Sequence, residues 1–182
     1  MTARAPVHRY GHVHQALFYD SDDELLSAVV PFVEEGLRTA EPTFVALNSR
    51  AADLLRDAVG RPDLVFLGER TRRHNPASTI HHNLEIIAAH LAEGAQHIRV
   101  VGEVPHPGHG SPWDWWARYD AAVNHAYAEF PLWNVCPYDL RITPGAVLED
   151  VMRTHPWLAA DDGSHVTNPH YEDPRQFLLG RP

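Results

Sequence analysis

Short apolar runs alternate along the chain with stretches in which apolar residues recur every three or four positions, the mark of strand followed by helix, repeated five times. The first strand falls over 15–19, and Ser21-Asp22-Asp23-Glu24 after it is a capping box opening a helix that carries Leu25, Leu26, Val29, Val33 and Leu37. Pro31 inside that helix removes a donor and crowds Ser27, so a kink or local tightening is expected there. A second unit runs from a strand over 43–47 into a short helix through Leu54, Leu55 and Val59, with Asn48 or Ser49 as its cap. The third strand covers 64–67. Beyond Arg70, Arg72 and Arg73, Asn75-Pro76 starts a helix whose Ile80, Leu84, Ile87 and Leu91 make one buried stripe. The fourth strand, over 98–101, ends in a loop over 102–112 rich in Gly, Pro and His. A helix with Trp116, Asp120, Val123 and Tyr127 on one stripe follows, then a strand over 132–135, the tetrapeptide Cys136-Pro137-Tyr138-Asp139 and a last helix over about 144–153. The alternation predicts an α/β fold with a mainly parallel sheet flanked by helices. Residues 1–9 read as an N-terminal arm, 10–160 as the domain, and 161–182 as a polar tail that drapes over it or stays mobile.

Composition narrows the chemistry. The 182 residues hold 15 Lys+Arg, and every one is arginine. Without lysine there is no Walker-A phosphate loop and no Schiff-base chemistry on an internal amine. The length fits one domain, and 44% hydrophobic with 21% charged residues is the balance of an ordinary globular protein. A formal charge of -9 with scattered arginines excludes a nucleic-acid or anionic-membrane surface. No apolar run approaches the roughly 20 residues of a membrane span, and no signal peptide is visible, so the cytoplasm is the expected compartment. Cys136 is the single cysteine, which rules out an internal disulfide framework.

Ligands of an open parallel sheet collect beyond the carboxyl ends of its strands. Candidates there are Asp20, Ser21, Asn48, Ser49, Glu69, Glu103 and the segment Cys136 to Asp139. Glu103 could serve as base, metal ligand or hydrogen-bond acceptor; the plainer alternative is a carboxylate that caps a helix or pairs with arginine. Cys136 is a reactive thiol or soft ligand on one reading and a small buried hydrophobe on the other. Among fourteen histidines, His12 and His14 share a strand face, whereas His81 and His82 diverge by about 100° on a helix. His106 and His109, just after Glu103, form the best local metal candidate, against the alternative of solvated loop imidazoles. No Gly-x-Ser-x-Gly elbow and no Gly-x-Gly-x-x-Gly turn occurs; Asp20 to Asp23, where such a turn would stand, would repel a pyrophosphate. Trp116 belongs to the core by its spacing, and Trp115 points elsewhere.

Six ordered stretches carry a resemblance: His14-Gln-Ala-Leu-Phe-Tyr19-Asp-Ser-Asp-Asp-Glu24, Pro31-Phe-Val-Glu-Glu-Gly36-Leu, Asn75-Pro-Ala, Gly102-Glu103, Trp133-Asn-Val-Cys136-Pro-Tyr-Asp139 and His155-Pro156. Over roughly 10–156 the chain resembles the MEDS sensory domain of DcmR-type regulators, found also in RsbA-type anti-sigma regulators. The resemblance implies a RecA/KaiC-like core lacking a phosphate loop, and a sensory role toward small organic molecules. It carries over His14, Tyr19, Glu103, Cys136, Tyr138 and Asp139 as ligand-binding positions. RsbA-type proteins commonly continue into a kinase-like ATPase; this chain ends at Pro182, so a stand-alone sensor working through a separate kinase-like or anti-sigma partner is expected, with a homo-oligomer left open. The leading expectation is thus a non-catalytic ligand-binding domain in bacterial signalling or transcriptional regulation. The competing one is a metal-dependent enzyme or metal-binding protein using His106, His109 and Glu103, with no cofactor named.

Overall fold

The register of the central strands decides which residues can meet. The computed structural model describes residues 11–67, 75–105, 112–160 and 164–181. In chain order they form β1 (Val13–Tyr19), α1 (Asp22–Arg38), β2 (Thr43–Ala46), α2 (Ser49–Val59), β3 (Val65–Phe66), α3 (Pro76–Ala92), β4 (Ile98–Gly102), α4 (Trp113–Ala126), β5 (Leu132–Asp139), α5 (Gly145–Thr154), β6 (Trp157–Ala159), β7 (His165–Thr167) and α6 (Pro174–Leu179). The sheet runs β3-β2-β4-β5-β1-β6-β7, parallel throughout except for the β6/β7 pair. This is the α/β architecture that the alternating pattern predicts, and no helix among the described residues is long and apolar enough to cross a membrane.

The helices divide between the two faces. Leu25, Val29, Phe32 and Val33 of α1, with Ala51 and Leu55 of α2, close over Leu17, Tyr19, Val45, Val101 and Val135. On the opposite face, α3 and α4 bring Ile87, Val123 and Tyr127 to Phe44, Ile98 and Leu132. There, too, Trp116 of α4 and Val147 and Val151 of α5 join Ala16, Cys136 and Tyr138.

The capping signals work as the chemistry requires. The Ser21 hydroxyl accepts from the Glu24 N–H at 3.2 Å, and the Glu24 carboxylate reaches back to the Asp20 N–H at 2.9 Å. α1 then continues through Pro31 without a break. Asn48 and Asn75 cap α2 and α3 through their side-chain oxygens. Gly36 has a steric reason: a Cβ there would lie 2.3 Å from Thr43 Oγ1 and 2.8 Å from Arg99 Cδ. The space goes to the buried Arg99, whose Nε donates to Glu41 at 2.5 Å while its guanidinium lies over the Phe32 and Trp133 rings.

One boundary differs from the sequence-based expectation. β5 does not stop at Val135: Cys136, Pro137, Tyr138 and Asp139 continue in register with Ala16, Leu17, Phe18 and Tyr19. The proline is accommodated because the pairing with β4 ends at Val101 opposite Val135, leaving β5 with one neighbour at that level. The C-terminal segment drapes over the domain in defined form. β6 pairs with β1 and β7 with β6. Asn168 donates from Nδ2 to the carbonyls of Met152 and His155 at 2.6 and 2.7 Å, and Phe177 is fully buried against Ala117 and Ala121. Arg153 and Arg181 flank the Phe177 ring and pair with Glu172 and with Asp114, so aromatic and ionic contacts replace the apolar periodicity that is missing from this stretch.

Candidate functional site

Strand side chains alternate between faces, so parity sorts the candidates before any distance is measured. His14, Ala16 and Phe18 of β1 pair with Asn134, Cys136 and Tyr138 of β5. This even-numbered set faces α3, α4 and α5. Tyr19 and Asp139 pair with each other and are odd-numbered, on the α1/α2 side.

A cavity of about 120 Å³ lies beneath α3 and α4 on the even-numbered face. Phe44, Val100, Ile86, Ile87, Val123 and Leu132 give it apolar walls, while Glu103 and Pro105 stand at its strand-end margin. His14, Asn134, Cys136, Trp116 and Asp120 are polar residues of its lining. Three atoms of these residues are buried without a hydrogen-bond partner: the Trp116 indole N–H, Asp120 Oδ1 and Asn134 Oδ1. The tyrosines of the wall are tied off, since Asn83 Nδ2 donates to the hydroxyls of Tyr119 and Tyr127, each at 3.2 Å.

Burial sets the protonation here. Desolvation, helped by the charge of Asp150, pushes the Asp120 carboxyl up to about 8, against a lowering hydrogen bond from the Tyr138 hydroxyl at 3.1 Å. At neutral pH Asp120 is therefore a carboxylic acid, able to donate as well as accept. Burial also raises the Cys136 thiol, and the nearby Asp120 adds to this. It lowers His14 to about 4 and puts His12 and His155 well below the usual histidine range.

The tautomers of two of these histidines follow from their partners. Asn124 spends its amide N–H groups on the carbonyls of Asp120 and Thr154, at 2.9 and 2.6 Å. Its Oδ1 must then accept from His14 Nδ1, 3.0 Å away, which leaves the His14 Nε2 lone pair bare. His155 Nδ1 lies 3.0 Å from the Val151 carbonyl, an acceptor only, so the bare nitrogen of His155 is also Nε2, and it has no partner. The ligand atoms of His14, Cys136 and His155 lie within 4.8 Å of one another, and all three residues are buried.

The strand-end crevice itself is filled by side chains. Asn48 donates to Glu103 Oε2 from both its backbone N–H and its Nδ2, each at 2.8 Å, which fastens the end of β4 to the cap of α2. Arg141 bridges Asp139 at 2.7 Å and Asp22 at 3.1 Å, and Arg50 closes on Asp22 at 2.5 Å. The Arg141 guanidinium holds the Asp139 carboxyl below its usual range, whereas burial pushes the Tyr19 phenol up to about 12. Of the six positions carried over from the family, His14, Glu103 and Cys136 line the cavity, and Tyr138 reaches it through Asp120. Tyr19 and Asp139 sit at the ion-paired crevice on the other face. His106 and His109 lie outside the described residues.

Sequence reasoning passed over Asp120, Asn134 and Trp116 as cavity groups, and His155 as more than part of a motif. A signal existed for Asp120, a carboxylate on the otherwise apolar stripe of α4, because an acidic residue on a buried face needs a reason. Asn134 between apolar strand neighbours carries the same signal.

A comparison with curated proteins finds no match. The family model of MEDS, the MEthanogen/methylotroph, DcmR Sensory domain, matches residues 13–156, from the first residue of β1 to the turn before β6; the chain belongs to this family of sensory domains.

Proposed function

We propose that the chain senses a small, mainly apolar organic molecule bearing one or two hydrogen-bonding groups, held in the cavity between the sheet and α3/α4. The observation that carries this reading is the pairing of apolar walls with three orphaned polar atoms, on Trp116, Asp120 and Asn134. Buried polar groups without partners each cost about 1–3 kcal/mol, so a site that keeps three of them is poised for an occupant that satisfies them. The volume of about 120 Å³ is near that of an apolar cavity known to admit benzene, about 150 Å³. A hydroxyl or carbonyl on a ring of that size fits a donor at Trp116, an acceptor at Asn134 and a protonated Asp120. The role is non-catalytic. Binding is read out by a separate signalling partner, of the kinase-like or anti-sigma kind, in the bacterial cytoplasm.

Phenol and cyclohexanol are suitable probes, compared by calorimetry and thermal shift with their parent hydrocarbons. The expected result is saturable binding that is stronger for the hydroxylated member of each pair and is lost in Asn134→Leu, which fills space and removes the acceptor. Equal binding by Asn134→Leu and the native chain would place the ligand elsewhere.

A further inference from the structure

We propose that His14, Cys136 and His155 form a buried thiolate-imidazole site for a soft transition-metal ion, beside the same cavity, which His14 and Cys136 line. Three elements assemble it. His14 on β1 and Cys136 on β5 share the even-numbered face of adjacent strands, and His155 comes down on them from the end of α5. The rings of His14 and His155 lie 4.0 Å apart between centroids, and the three ligand atoms fall within 4.8 Å of one another.

Proximity alone would be weak support, because buried histidines often pack together. The tautomers carry the argument further. Each imidazole has its Nδ1 proton committed to a fixed acceptor, Asn124 Oδ1 for His14 and the Val151 carbonyl for His155. This is the outer-shell arrangement that orients metal-binding histidines and leaves Nε2 free to coordinate. His155 Nε2 is fully buried and has no other partner, so without an ion it is a desolvated lone pair. One thiolate with two imidazoles suits Cu(I) and Zn(II). Cu(I) leaves the buried site electrically neutral with three ligands. Zn(II) balances its second charge if Asp120 ionises, and it finds room for a fourth ligand in the cavity that His14 and Cys136 also line. Loading releases the Cys136 thiol proton, because the thiolate is the ligand.

The full chain, produced without a histidine tag and stripped by a chelator, is titrated with Co(II) as a spectroscopic probe, then with Cu(I) and Zn(II) in anaerobic competition with a colorimetric chelator. Expected are a thiolate-to-cobalt charge-transfer band saturating at one equivalent, its loss in Cys136→Ala, and at least about tenfold weaker binding in His155→Gln. The competition identifies the ion. Because either variant can lose stability, melting of the native chain is followed with and without metal; a bound ion raises Tm. Absence of the cobalt band, its survival in Cys136→Ala, or a native Tm that no ion raises overturns the site.

Discussion

Beneath α1 and α2 the sheet presents Leu17, Val45, Leu47, Val101 and Val135 to a close-packed layer of leucine, valine and phenylalanine. Its buried polar groups there are paired: Arg99 with Glu41 and with the Phe32 carbonyl, and Gln15 with the Trp133 indole N–H at 3.0 Å. Beneath α3, α4 and α5 the same strands present His14, Asn134, Cys136 and Tyr138. All five buried polar atoms without a partner among the described residues belong to that side, on His12, Trp116, Asp120, Asn134 and His155. One sheet thus carries a face whose buried polar atoms are paired among the described residues and a face on which five are not. The unpaired atoms of the second face cost stability that the rest of the fold must offset.

The largest effect expected is on the closed face. Leu25→Ala removes a fully buried side chain from its centre and should destabilise by about 2–5 kcal/mol, while Ile87→Ala, against the cavity wall, should fall at the lower end of that range because one side of the residue already lacks neighbours. Denaturant unfolding of the two variants measures this, and equal losses would erase the contrast. Next in size, and opposite in sign, Asn134→Leu should stabilise the chain by about 1–3 kcal/mol, by deleting an unsatisfied carbonyl and filling space, while abolishing ligand binding. A destabilised Asn134→Leu would mean that the polar face is structural after all.

Much of the fold was legible in the sequence, whereas the contrast between its faces was not, for a definite physical reason. The strand-helix alternation, the Ser21, Asn48 and Asn75 caps and the α1 stripe are local signals, and local hydrogen bonding and burial decide them. The placing of the cavity depended on parity along β5. Cys136, Pro137, Tyr138 and Asp139 look like one polar segment after a strand, but the strand continues through them and sends Cys136 and Tyr138 to one face and Asp139 to the other. The strand-end rule points to the crevice beyond the carboxyl ends of the strands, and Asn48 with Glu103, and Arg141 with Asp22 and Asp139, occupy that crevice. Asn48–Glu103 and Arg141–Asp22 join residues 55 and 119 positions apart, beyond the reach of any periodicity. β7 and α6 were illegible for a related reason: their stability comes from Asn168, Phe177 and Arg181 meeting distant partners.

The two faces should also part company on titration. His12, His14 and His155 have folded values below the unfolded one near 6.5, so the unfolded chain binds more protons as pH falls below that point, and stability is lost toward pH 4. Asp120 works in the opposite sense. Its folded value, about 8, exceeds the unfolded value near 4, so its contribution is full below 4 and is lost as pH rises through 8. In the acid window the three histidines outweigh it. Between about 6.5 and 8 Asp120 acts without them, and stability should fall by up to about 1.4 kcal/mol per pH unit. Asp120→Asn should flatten that limb; an unchanged slope would show the carboxyl to be ionised in the fold.

Tyr138→Phe is the finest test of the polar face. The residue is buried in the layer with Trp116 and Val151, so alanine there would open a cavity and confuse folding with recognition, whereas phenylalanine keeps the ring and deletes one hydroxyl. That hydroxyl donates to Asp120 Oδ2, and the bond lowers the Asp120 value. Its loss should cost about 0.5–1.5 kcal/mol at neutral pH and move the alkaline limb to higher pH, because the ionised carboxylate has lost its donor. The sign separates two arrangements. If the hydroxyl serves mainly as an acceptor from a protonated Asp120, removing it leaves the acid form without its partner and the limb moves to lower pH. Stability curves of the native chain, Asp120→Asn and Tyr138→Phe over pH 6 to 9 decide between them, and an upward shift fixes Tyr138 as the donor to Asp120 Oδ2, with Oδ1 left unpaired.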